Sequence, residues 1–86
     1  GIASPVQPMP PVIAPNPARA GGFICLELQQ PTRLEWLDLR GRSVFALGVQ
    51  QAGTASLPAP KTPGLYLLTT QPAAGGMIQT VRVVVQ

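Results

Sequence analysis

Short apolar runs, broken by Gly, Pro and polar residues, alternate along most of this chain. Residues 23–29 (FICLELQ) place Ile24, Leu26 and Leu28 on one face at a spacing of two, which is the period of a β-strand. Runs of this kind, with turn residues every eight to twelve positions or so, are typical of all-β domains. The pattern predicts seven strands, at residues 12–15, 23–29, 34–39, 43–49, 55–57, 65–70 and 77–85.

The third predicted strand has an interruption in its alternation. Leu34 and Trp36 point to one face, whereas Leu37 points to the other. A β-bulge, or a strand that crosses between two sheets, accounts for such a slip. Residues 40–42, which follow, predict a tight turn with Gly41 at positive φ.

Seven short antiparallel strands predict two packed sheets, and therefore an immunoglobulin-like β-sandwich. Eleven prolines and nine glycines in 86 residues argue against a helical bundle, because both residue types break helices. Six of the prolines lie within the first 17 residues. We therefore expect residues 1–11 to form an extended, Pro-rich linker and residues 12–86 to form the single domain.

Charged residues are sparse: six are basic and three acidic, which gives a net charge of +3. The basic residues form no run, and only Arg40 and Arg42 lie close together, so we expect dispersed solubilising charge and no nucleic-acid site. No apolar stretch reaches the roughly 18 residues that cross a bilayer, so no membrane span is expected. The chain begins with neither Met nor an export signal, and we expect it to be a piece of a longer protein.

Groups that carry chemistry are few, because the chain has no His, one Cys and three acids. This inventory excludes most metal sites and the usual nucleophile–histidine catalysts, so we expect no enzyme activity and no cofactor. Cys25 lies in an apolar run and is expected to pack as a small hydrophobe. Strand geometry separates Glu35 from Asp38 unless the bulge brings them together. Asp38 is expected to hold the following turn by accepting backbone N–H groups.

Two further features leave alternatives open. Trp36 and Tyr66 are expected to pack in or near the core, although paired aromatic residues also occur as sugar-stacking platforms. The last strand contains three consecutive valines, residues 83–85. Such a β-prone strand is either fully paired within the sandwich or available for a partner strand.

Four motifs stand in order along the chain: residues 12–18 (VIAPNPA), 34–44 (LEWLDLRGRSV), 63–68 (PGLYLL) and 81–85 (VRVVV). Together they resemble the type A C-terminal sorting domain of the type IX (Por) secretion system of Bacteroidetes-type bacteria, over residues 12–86. Arg82 stands where that family often has Lys, and Gln86 stands where many members have a basic residue. The family pattern rests on Pro15, Asn16, Pro17, Asp38, Gly41, Gly64, Tyr66, Arg82, Val83, Val84 and Val85.

The resemblance implies an immunoglobulin-like sandwich that serves as an address for a larger cargo protein fused on its N-terminal side. In that family the cargo folds in the periplasm and is directed through the outer-membrane translocon. In many members a surface sortase then removes the domain. The implied partners are the translocon, sortase-type processing proteins and the fused cargo, and the implied location is the periplasm in transit, then the cell surface or the medium. Two alternatives are a carbohydrate- or adhesion-binding module and a sandwich domain retained in the secretion apparatus.

Overall fold

A computed structural model describes residues 13–14 and 16–86. The strands are β1 (Ile13–Ala14), β2 (Phe23–Leu28), β3 (Thr32–Leu37), β4 (Ser43–Gln50), β5 (Gly53–Pro58), β6 (Gly64–Pro72) and β7 (Gln79–Val85). Two antiparallel sheets have the strand orders β1-β2-β5 and β4-β3-β6-β7. Within the described ranges there is no helix, and so none long and apolar enough to cross a membrane.

The order of the strands confirms the predicted immunoglobulin-like sandwich. The chain passes from one sheet to the other between β2 and β3, returns between β4 and β5, and passes over again between β5 and β6. The first, second and fifth strands therefore share one sheet, as in immunoglobulin-like domains, and the last two strands lie in the other. The predicted linker, residues 1–11, lies outside the described residues.

The core lies between the two sheets and is built from alternate strand positions. In β2 the buried residues are Ile24, Leu26 and Leu28, as the spacing predicts. Trp36 is completely buried, and its indole N–H donates a hydrogen bond of 3.0 Å to the carbonyl of Pro58 in the facing sheet. The core cluster consists of Ile13, Ala18, Ile24, Leu26, Leu28, Leu34, Trp36, Ala55, Leu57, Ala59, Leu68, Val83 and Val85.

The predicted bounds of the third strand are wrong by two residues at both ends. Thr32 and Arg33, expected in a turn, belong to β3, because both residues pair with β4 on one side and with β6 on the other. Asp38 leaves the strand because its carboxylate Oδ1 accepts hydrogen bonds of 2.9 Å from the backbone N–H groups of Arg40 and Arg42. Local turn chemistry therefore ends this strand.

Other strand bounds also differ from the predicted ones. The weak fifth strand extends over Gly53–Pro58, since all six residues pair with β2. β6 continues to Pro72 and β7 begins at Gln79, so the loop between them is residues 73–78. Of the first predicted strand only Ile13 and Ala14 form β1, while Val12 and Pro15 lie outside the described residues.

The predicted bulge is confirmed, but the extra residues lie in the neighbouring strand. The pairing of β3 with β4 shifts register twice, which leaves Leu47 and Val44 of β4 without a partner residue. The pairing of β3 with β6 is unbroken, so the alternative of a third strand that crosses between sheets is wrong. Because β4 is an edge strand, its bulges hinder pairing with other molecules.

The expectation that Cys25 packs as a small hydrophobe is wrong. Its thiol is exposed, because the alternation that buries Ile24 and Leu26 points Cys25 to the outer face of the three-stranded sheet. Glu27 lies on the same face and is exposed as well. Glu27, two positions after Cys25 in the strand, is the residue that indicates from the sequence a solvent-exposed face.

Candidate functional site

The N-terminal part of the domain belongs to both sheets. β1 pairs with β2 in the three-stranded sheet, and Ala18 forms a parallel bridge with Val85 in the other sheet. The chain changes sheet around a cis peptide bond between Asn16 and Pro17. We call residues 16–20 the crossing segment. It closes one side of the sandwich by joining the start of the domain to its last strand.

Short backbone hydrogen bonds fix the crossing segment against the end of β7. The N–H of Ala18 donates to the carbonyl of Val84 at 2.7 Å, and the N–H of Gln86 donates to the carbonyl of Ala18 at 2.8 Å. The N–H of Ala20 donates to the carbonyl of Gln86 at 2.7 Å. A longer bond of 3.4 Å runs from the N–H of Val84 to Oδ1 of Asn16. Asn16 therefore lies against Val84, and both residues belong to the pattern quoted for the resemblance.

The edge of β7 at residues 80–82 faces no other strand within the described part of the chain. All residues of β7 pair with β6 on one side. On the other side the crossing segment reaches only residues 84–86. Backbone groups of an antiparallel strand alternate between its two edges, so Thr80 and Arg82 direct theirs to the same side as Val84. We call residues 80–82 the open half-edge. The strand is thus neither fully paired nor fully free, and both sequence alternatives describe part of it.

An apolar stripe lies on the outer face of the sheet beside the open half-edge. Val83 and Val85 point into the core, so Val84 points outward, and 42% of its surface is exposed. Val84 pairs with Leu65, and Leu67 pairs with Arg82 and, on its other side, with Leu37. We call this set the outer stripe. It consists of the half-buried Leu37, Leu65 and Leu67 together with Val84.

Tyr66 has a structural role near the start of β6. Its hydroxyl donates a hydrogen bond of 2.7 Å to the carbonyl of Thr62, four residues upstream. Its ring meets the buried Trp36 edge to face, with centroids 6.3 Å apart. A Cβ atom built on Gly64 would lie 3.6 Å from Cε2 of Tyr66. This is the tyrosine corner found at the same place in immunoglobulin domains.

The Asp38 turn is confirmed as the sequence predicts it. Asp38 accepts the N–H groups of Arg40 and Arg42 with its side chain, and its own N–H donates to the carbonyl of Arg42 at 2.9 Å. Gly41 has a φ of +82°, a conformation that side-chain-bearing residues rarely adopt. Asp38 and Gly41 therefore shape the hairpin between β3 and β4.

The carboxylates do not gather into a common site. Glu35 accepts a hydrogen bond of 2.9 Å from the hydroxyl of Ser43. Asp38 is engaged by the backbone of its own turn. Glu27 lies in the three-stranded sheet and accepts a bond of 2.6 Å from the hydroxyl of its neighbour Thr54 on β5. In the described residues there is no group of three His, Cys, Asp or Glu side chains that is able to hold a metal ion.

The aromatic residues do not form an exposed platform. Trp36 is completely buried, and Tyr66 is half-buried against it. A shallow groove of about 190 Å³ lies on the outer face of the four-stranded sheet, with Arg33, Glu35 and Gln71 among its lining residues and no aromatic side chain. The burial of Trp36 counts against the sugar-stacking alternative.

Sequence reasoning missed the crossing segment, because nothing local in residues 16–20 or 84–86 points to the other. The two segments are 68 positions apart where Asn16 meets Val84. Of the family-pattern residues, Pro15 lies outside the described residues. The others lie in the crossing segment, the Asp38 turn, the tyrosine corner and β7.

Comparisons of the chain with family models, with curated proteins and with solved structures found no match.

Proposed function

We propose that this chain is a sorting domain of the type IX secretion kind, which addresses a cargo protein for passage across the outer membrane. The observation that carries the proposal is the open half-edge of β7, which lies beside the outer stripe. The four ordered sequence motifs support it independently. In this proposal the domain is recognised as a folded shape and contributes no reactive group of its own.

Recognition takes place by addition of a partner strand to β7. Thr80 and Arg82 direct main-chain donors and acceptors to an edge that no strand of residues 13–14 and 16–86 occupies. Added strands derive their affinity from such groups. The outer stripe supplies specificity, because Val84 and its leucine neighbours meet side chains of the partner on the same face. The partner is the outer-membrane translocon, and sortase-type proteins act at the N-terminal boundary.

The crossing segment limits the length of the β7 edge to which a partner strand is able to pair. It occupies the edge at residues 84–86, so the added strand is confined to residues 80–82 and enters beside Asn16. The cargo precedes this segment along the chain. The domain acts in the periplasm during transit and reaches the cell surface or the medium with its cargo.

The test is export of a reporter fused to residues 12–86, in a bacterium that has the type IX machinery. Val84→Asp places a charge on the outer stripe and should trap the reporter in the periplasm. Val44→Asp is the matched control, because Val44 of β4 is also 42% exposed and lies away from β7. Deletion of residues 81–86 is a weaker test, since it also removes the core residues Val83 and Val85.

Equal export of the two Asp variants would refute the recognition surface, provided that both fold as judged by circular dichroism. Failure of the unaltered fusion to leave the periplasm would refute the sorting function itself. Persistence of the domain on the mature surface protein, with normal export, would favour a domain retained in the apparatus.

A further inference from the structure

The charged residues that lie outside the strands all belong to loops at one end of the sandwich, which their order in the sequence does not reveal. Three loops lie at the end of the sandwich where β7 finishes: residues 19–22, 38–42 and 59–63. The N–H of Gly21 donates to the carbonyl of Pro60, and Ala59 donates to Gly22, which joins two of these loops. Pairing of Leu37 with Leu67 brings the third loop to the start of β6 at the same end.

All charged residues outside the strands lie in these three loops. They are Arg19, Arg40, Arg42 and Lys61, with Asp38 as the acid, so the formal charge of this end is 4 − 1 = +3. The strands hold two basic and two acidic residues and are neutral. The loops of the opposite end, residues 29–31, 51–52 and 73–78, contain no charged residue. The whole net charge of the chain is therefore found at one end, which we call the basic end.

The cations of the basic end are free to meet a ligand. Arg19, Arg40, Arg42 and Lys61 are exposed, and none forms an ion pair within the described part of the chain. Among the described residues, Asp38 is the one acidic side chain of these loops, and its carboxylate is engaged by two backbone N–H groups. The sequence shows no run of basic residues, but the fold places the loops that carry these four cations at one end of the domain.

An exposed apolar side chain stands among these cations. Leu39 lies at the tip of the hairpin directly before Arg40, and 59% of its surface is exposed. The Asp38 turn holds this tip in a fixed shape. A basic surface with a protruding aliphatic residue matches an anionic lipid bilayer, where cations meet headgroups and the apolar side chain enters the acyl boundary.

We propose that the basic end is a docking surface for an anionic lipid membrane. A flat lipid surface meets cations from three separate loops at once, whereas a compact anionic site on a protein requires them to converge on one point. The attraction is reversible and depends on salt, because exposed charges are screened beyond roughly 8 Å at physiological ionic strength. The proposal is independent of the sorting function, and its test needs no secretion machinery.

The test measures binding of the full chain to vesicles of phosphatidylcholine alone and of equimolar phosphatidylcholine and phosphatidylglycerol, by co-sedimentation. We expect binding only to the anionic vesicles, and weaker binding as salt is raised. R40Q/R42Q should lower the affinity about 30-fold, since each cation near an anionic surface contributes about fivefold to binding and the two effects multiply. The matched control is R33Q/R82Q, which removes the same charge from the strands and should change affinity much less.

Leu39 has a matched control at the other end of the domain. Ile78 is also 59% exposed and lies in the uncharged loop between β6 and β7. Leu39→Ser should weaken vesicle binding about tenfold, as expected for loss of one inserted aliphatic side chain, whereas Ile78→Ser should not. In Leu39→Trp, the emission of the new indole should shift to the blue on anionic vesicles, while the buried Trp36 supplies a constant background.

Three results would overturn the proposal. The first is an equal loss of binding in the two double variants, which would mean that net charge alone is sensed. The second is a loss in Ile78→Ser without one in Leu39→Ser, which would place the contact at the opposite end. The third is binding to heparin or to an acidic protein without binding to anionic vesicles, which would assign the basic end to another class of partner.

Discussion

The hydroxyl of Tyr66 donates to the carbonyl of Thr62, and this bond ties the loop after β5 to the start of β6. We expect Tyr66→Phe to lower the free energy of unfolding by about 1 kcal/mol, the usual net value of one hydrogen bond. Urea unfolding followed by circular dichroism measures this loss. Thr62→Ala is the control, because it keeps the accepting carbonyl and should leave stability nearly unchanged. Equal losses in both variants would contradict the role assigned to the hydroxyl.

Trp36 links the two sheets through its indole N–H. We expect Trp36→Phe to cost about 3 kcal/mol, because it leaves the carbonyl of Pro58 without its donor and opens a cavity in the core. The same unfolding experiment applies. Phe23→Leu serves as a comparison, since Phe23 is 65% exposed and its replacement should change stability by less than about 0.5 kcal/mol. A small effect at Trp36 would show that the sheets are held by other contacts.

The Asp38 turn should depend on the carboxylate oxygen and not on its charge. We expect Asp38→Ala to destabilise the domain by about 1 kcal/mol, because two backbone N–H groups lose their acceptor. Asp38→Asn keeps an acceptor oxygen and should recover most of that loss. If Asn and Ala are equally destabilising, the charge of Asp38 matters more than the hydrogen bonds.

Ala18 is the most buried residue of the crossing segment. Ala18→Asp should cost at least about 3 kcal/mol, because it places a charge without a partner between the crossing segment and β7. The amide of Gln86, which donates to Ala18, should then exchange its hydrogen faster. Ala46→Asp on the exposed edge strand β4 is the control and should change neither quantity much. Slow exchange at Gln86 in Ala18→Asp would speak against the pairing.

Cys25 should be reactive in the folded domain. Its thiol is exposed on the outer face of the three-stranded sheet, so a maleimide reagent should label it fully without denaturant. Mass spectrometry of the native and the urea-unfolded protein, labelled for the same short time, compares the two states. Labelling that occurs only in urea would mean that Cys25 is covered.

Local patterns predicted those features that local physics determines. The spacing of Ile24, Leu26 and Leu28 identifies a core face, and the Asp38–Gly41 sequence identifies a turn, because both depend on neighbouring residues only. Cys25 was misplaced, since the face of a strand and not the surrounding composition decides whether a residue is buried. The predicted start of β3 was wrong because its neighbours in space, and not its local sequence, determine it. Thr32 is extended because β4 and β6 both pair with it.

Features that depend on the order of strands in the sheets could not be predicted from local sequence patterns. The pairing of Ala18 with Val85 joins the two ends of the domain, and no residue of either segment indicates the other. The basic end arises in the same way. Arg19, Arg42 and Lys61 are far apart in the sequence, and only the order of strands brings their loops to one end.

The parallel course of the crossing segment and the end of β7 has a mechanical consequence. Because the two segments run parallel, the chain before Ala18 and the chain after Val85 extend from opposite ends of the pair. Tension applied between the two ends of the domain therefore acts along both strands, and the bonds between Ala18, Ala20, Val84 and Gln86 are loaded together in shear instead of being peeled apart singly. These hydrogen bonds join the first and last segments of the domain, so they are the first contacts to resist a force that pulls its two ends apart.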